Sequence, residues 1–78
     1  MTSLLQAVDQ ERVALQTAAW LKKLREELEV SQVRMARAAG VTRNTYSSWE
    51  RGRTVPMLFQ VERLKAFEKN HRRGKGLR

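Results

Sequence analysis

Between Ser31 and Gly52 the chain reads SQVRMARAAGVTRNTYSSWERG, and no other stretch restricts the possible folds so tightly. It divides into two short amphipathic segments, each entered through a hydroxyl residue, Ser31 or Thr42, suited to cap a helix N-terminus. Each is followed by a glycine, Gly40 or Gly52, the first two glycines of the chain. A glycine there can take the left-handed conformation that closes a helix at low steric cost. The pattern predicts two helices of about two turns joined by a tight turn, a helix-turn-helix. In the first, Val33, Ala36 and Ala39 recur at helical spacing with Met35 alongside, and the small alanines permit close approach of a second helix. In the second, Tyr46 and Trp49 stand three apart and mark one buried edge. Stacking of these aromatics on bases is the weaker reading, because their spacing suits a core.

The second segment also carries Arg43, Asn44, Thr45, Ser47 and Ser48, a set of donors and acceptors that core packing does not require. Arginine forms a bidentate pair with guanine and asparagine with adenine, each contributing about 1–3 kcal/mol of discrimination, so this face suits the reading of base edges. The N-terminus of the preceding helix offers amides to a phosphate oxygen. Arg34, a cation in that helix's first turn, opposes the helix dipole unless a phosphate lies opposite, whereas Arg37 reads as surface. Glu50, a carboxylate in a last helical turn, calls for a cationic partner.

Charge agrees with a polyanionic partner. Residues 1–30 hold four Lys or Arg and five Asp or Glu, net −1, while residues 31–78 hold twelve and three, net +9. A field so one-sided favours nucleic acid, because neutralising phosphates releases condensed counterions. The 78 residues make one small domain without cysteine, so disulfides and thiolate metal sites are excluded. Abundant Leu, Ala and Arg with no isoleucine favour an all-α fold. No apolar run approaches the ~18 residues of a membrane span, and the expectation is a soluble, cytoplasmic protein.

Ahead of the motif, residues 3–28 contain neither Gly nor Pro, and Ser3 could cap a helix start. Leu21, Leu24 and Leu28, with Ala14 and Ala18 before them, predict a helix over Ala14–Leu28. Upstream, Leu5, Val8, Arg12 and Leu15 hint at a second apolar stripe interrupted by polar residues, leaving open whether one helix or two precede the motif. These turns either cover the small core or pair with a second copy. After Gly52, Arg53, Thr54 and Val55 form a loop, and Pro56 starts a helix over about Met57–Lys69 with Leu58, Val61, Leu64 and Phe67 as its stripe. From Asn70 the basic, glycine-broken end reads as a mobile tail. The expected organisation is thus an N-terminal helical extension (1–13), a DNA-binding domain (14–69) and a basic tail (70–78).

The block from Leu21 to Pro56 resembles the lambda-repressor-like, Cro-type (Xre-like) helix-turn-helix family. Leu24-Arg25, Ser31-Gln32, Met35-Ala36, Gly40-Val41 and the run Trp49 to Gly52 carry the resemblance. It implies a compact all-α domain of four to five helices that binds double-stranded DNA. By that resemblance Arg43, Asn44 and Ser48 meet bases, Gln32 touches a phosphate and braces the recognition helix, Arg51, Arg53 and Thr54 form the backbone-contacting loop, and Arg25 pairs with Glu50. Beside these, the polar character of the two helices adds Ser47 to the expected base contacts and Arg34, Thr42 and Thr45 to the expected phosphate contacts. The chain departs from the family in three ways. Glu29 stands where glycine is frequent, Arg43 replaces a common glutamine, and a longer N-terminus accompanies a missing fifth helix.

The expected function is sequence-specific repression by a homodimer on an inverted-repeat operator, of the kind found in phage, plasmid or other mobile elements. The alternative is the antitoxin of a toxin-antitoxin pair, with a small toxin as protein partner. RNA binding fits the charge, but the aromatic modules usual for single strands are missing. No nucleophile-base pair, carboxylate dyad or metal cluster stands at workable spacing, and His71 has no neighbouring ligand, so no enzyme, cofactor or metal is expected.

Overall fold

The computed structural model describes residues 3–76, with side chains for 9–74. Four helices follow one another: α1 (Ser3–Leu28), α2 (Gln32–Ala39), α3 (Arg43–Glu50) and α4 (Leu58–Gly76). α1 is a single continuous helix of 26 residues, which answers the question left open above. Ser3, Leu5 and Val8 lie outside the described side chains, while Leu15 is exposed.

Local chemistry sets the helix ends. Ser31 Oγ accepts from the Arg34 amide at 3.1 Å, and Thr42 Oγ1 accepts from the Thr45 amide at 3.2 Å, capping α2 and α3. At the other ends, Gly40 (φ 79°) and Gly52 (φ 75°) adopt the left-handed conformation. The amides of Val41 and Gly40 then bond back to the carbonyls of Ala36 and Arg37, and those of Arg53 and Gly52 to Ser48 and Trp49. Both are Schellman closures. α1 closes in the same way on Glu29, whose φ of 56° places a non-glycine residue in left-handed space, with Val30 and Glu29 bonding to Arg25 and Glu26. α4 begins one residue later than the sequence suggests: Gln60 Oε1 accepts from the Met57 amide at 2.7 Å, so Met57 is the cap and Pro56 precedes it.

The core joins Leu21, Leu24 and Leu28 of α1, Met35, Ala36 and Ala39 of α2, Tyr46 and Trp49 of α3, and Leu64 of α4. Tyr46 and Trp49 meet edge to face at 5.9 Å. α3 packs on α1 and α2, and α2 packs on α4.

Three expectations are corrected here. Val33 is exposed, because 100° per residue sets it some 200° from Met35. The α4 stripe drifts for the same reason. Steps of three residues rotate by about 300°, so Leu64 is fully buried, Val61 and Phe67 only half, and Leu58 is 75% exposed. The segment expected to be a mobile tail continues α4 as far as Gly76. Arg72 bridges Glu27 at 3.1 Å and Glu68 at 2.9 Å, and His71 Nε2 meets the Leu28 carbonyl at 3.1 Å, tying this last part of α4 to the end of α1. Leu77 and Arg78 lie outside the described residues.

Candidate nucleic-acid interface

α3 is held from within by one carboxylate. Glu50, its last residue, is 4% exposed and receives Arg25 Nε at 2.7 Å and Arg25 Nη2 at 3.2 Å from α1. Gln32 Nε2, from the first residue of α2, donates to it at 3.1 Å. Three helices therefore converge on one side chain. Burial alone would push the Glu50 carboxyl up, but hydrogen bonds from Arg25, Tyr46 and Gln32, with the charge of Arg25, outweigh it and hold the group below the usual glutamate range. The Leu21 carbonyl lies 3.5 Å from the same Tyr46 hydroxyl and shares its one proton with Glu50. Burial first, and the adjoining Glu50 second, raise the Tyr46 phenol well above its ordinary value, so it stays protonated.

With Tyr46, Trp49 and Glu50 turned inward, helical geometry fixes what faces out. Asn44, Ser47, Ser48 and Arg51 follow one another at i, i+3, i+4 and i+7, on the side opposite Tyr46 and Trp49. Arg43 and Thr45 flank that line. Arg43, Asn44 and Thr45 are exposed, and Ser47 and Ser48 are half-buried. The eight residues of α3 make a rod about 12 Å long, short enough to enter a major groove about 12 Å wide.

The residues expected at phosphates divide into groups. Arg51 caps the C-terminus of α3, and Arg53 and Thr54 follow in the exposed loop. Gln32 reaches the same end of α3 through its bond to Glu50, at the N-terminus of α2, where the amides of Gln32 and Val33 meet no protein acceptor among the described residues. At the other end, the Thr42 hydroxyl both caps α3 and donates to Thr45 Oγ1 at 3.1 Å. Its proton is engaged there, and Thr45 is left with a hydroxyl proton to offer outward. Arg34 is placed apart: its guanidinium lies 5.4 Å from the Phe67 ring centre, on the flank of α2 that faces α4.

Sequence reasoning missed Arg63. From α4 its guanidinium stands 5.6 Å from the Phe59 ring centre and against Gly40, so a cation adjoins the turn between α2 and α3. A contact between residues 23 positions apart left no periodic signal.

A short helix locked on its inner side and polar on its outer side, entered from a capped and glycine-closed partner, defines a helix-turn-helix DNA-binding regulator. Residues 21–67 match a helix-turn-helix family of the Cro/C1 type, more than half of the chain, and the protein belongs to this lambda-repressor-like, Xre-type family of sequence-specific DNA-binding regulators. Comparison with curated proteins and with solved structures gave no match. Among the described residues, no helix is long and apolar enough to cross a membrane.

Proposed function

We propose that the protein is a transcriptional repressor that binds an inverted repeat in double-stranded DNA as a homodimer, each α3 entering the major groove of one half-site. Residues 14–69 form the DNA-binding unit and residues 1–13 an extension of it. The outward face of α3 carries this reading: polar side chains stand uncovered on a helix whose inner edge is fully engaged. Arg43, Asn44, Ser47 and Ser48 read bases; Gln32, Thr45, Arg51, Arg53 and Thr54 hold phosphates; Thr42 acts by capping, and Arg34 reaches DNA only by leaving Phe67. Two-fold symmetry sets half-sites about 34 Å apart, one helical turn. Occupying a promoter would suffice for repression, and compact circuits of phages, plasmids or other mobile elements suit such a regulator.

Selection of bound duplexes from a random pool is the decisive test. The expected result is an inverted repeat protected on both half-sites in footprinting. A pool that stays random after repeated selection at low salt would overturn the reading.

A further inference from the structure

The seam between α2 and α4 carries charge that folding alone does not account for. Arg34 and Arg37 stand three residues apart on α2, both exposed, and among the described residues neither guanidinium meets a carboxylate. The glutamates that pair with arginine, Glu50, Glu27 and Glu68, are engaged by Arg25 and Arg72. Like charges at this spacing repel, and a cation in the first turn of a helix opposes its dipole, so the arrangement works against α2. With Ala38 and Phe67 the two arginines border a groove of about 240 Å³. Arg63, one turn before Phe67 on α4, adds a third cation where α2 ends at Gly40.

We infer that this groove docks an acidic segment of a partner protein, with an Asp or Glu carboxylate held between Arg34 and Arg37 and a neighbouring apolar side chain on Ala38 and Phe67. Charge selects the occupant: two guanidiniums without counter-ions beside an apolar floor complement a carboxylate that adjoins an aliphatic or aromatic group. Arg34 is already arranged for this. Its guanidinium lies over the Phe67 ring, 5.4 Å from the centre, and a guanidinium that stacks through its face keeps its N–H edge free for a carboxylate. Size argues the same way, because the groove falls below the ~300 Å³ at which small-molecule sites begin yet has room for amino-acid side chains. A phosphate backbone would use the cations and leave the apolar floor bare.

No residue of α3 lines the groove, so the site is separate from the recognition face, and the inference depends neither on repression nor on a homodimer. A regulator built in this way holds DNA through α3 and an acidic partner through the α2–α4 seam at the same time. Exposed ion pairs contribute little singly, so a short peptide binds weakly and a whole partner gains from added contacts.

The test adds a blocked hexapeptide of alternating glutamate and leucine to the full-length protein and follows the backbone amides by two-dimensional NMR. The peptide should shift the signals of Arg34, Arg37, Ala38 and Phe67 with a dissociation constant on the order of 1 mM, and should do so equally when the protein is bound to duplex DNA. A counterpart with glutamine in place of glutamate should bind about tenfold more weakly, and Arg37→Gln should weaken the acidic peptide by a similar factor without changing the melting temperature. Equal binding of the glutamine peptide would mean that no carboxylate is read and overturns the inference, as does a spectrum that never shifts at any soluble peptide concentration. Shifts confined to α3 overturn it as well, since the peptide would then only imitate DNA at the recognition face. If the duplex displaces the peptide from these four residues, the groove belongs to the nucleic-acid interface: the docking site falls, and DNA binding by α3 stands.

Discussion

The two sides of α3 obey different physics within eight residues. On the inner side Tyr46, Trp49 and Glu50 are each less than 5% exposed, and among the described residues no fully buried side-chain nitrogen or oxygen lacks a partner, so a change there acts on the whole fold. On the outer side Arg43, Asn44, Ser47 and Ser48 lie outside the buried core, so a change there leaves the frame in place. Separation of this kind lets target preference vary while the frame stays constant. It holds only as long as the inner side fixes the angle at which the helix is presented.

The largest expected effect breaks the frame. Trp49→Ala removes an aromatic from the centre of a small core and should cost about 3–5 kcal/mol, enough to leave much of the protein unfolded at 37 °C by circular dichroism. Glu50→Ala should cost about 2–3 kcal/mol, less than a fully buried pair, because Arg25 keeps partial access to water.

The pH dependence sharpens that point. Folding lowers the Glu50 pKa, so the stability it provides is complete above the ordinary glutamate value and is lost as pH falls through the lower, folded value. The gap in melting temperature between wild type and Glu50→Gln should therefore be widest near neutral pH and close toward pH 3. A gap independent of pH would mean that the ionised carboxylate is not what holds α3.

On the outer side, Arg43→Ala or Asn44→Ala should lose about 1–3 kcal/mol of preference for the selected site over random duplex, with melting temperature unchanged. If either variant melts early instead, the two sides are not independent. Arg53→Ala should weaken binding to all sequences equally and flatten the salt slope by ~1. The smallest effect belongs to the helix-one exit: in Glu29→Gly, relief of about 1 kcal/mol of left-handed strain is offset by the freedom glycine gives the unfolded chain and by loss of the interaction the Glu29 side chain makes, so the melting temperature should shift by only a few degrees.

The helix-turn-helix itself was readable because its signals are local. Ser31 and Thr42 cap helices that begin at the next residue, and Gly40 and Gly52 close helices that end just before, so each interaction spans five residues or fewer. The inward direction of Tyr46 and Trp49 followed from spacing alone. Other expectations failed where periodicity was stretched too far: a three-residue repeat counted Leu58 with the core, although it lies well round α4 from Leu64. Arg34 offered no clue that it would stack on Phe67, since that contact joins separate helices.

By itself, the sequence determined where α2 and α3 start and stop and which side of α3 turns inward, because caps, glycine conformation and side-chain rotation around a helix are settled among near neighbours. Only the tertiary structure decided that α4 would run on to Gly76 under Arg72 and His71, that Arg63 would lie against Gly40, and that Val13 would come to face Val55. Those contacts join residues 23 to 45 positions apart and exist only once burial has brought the helices together.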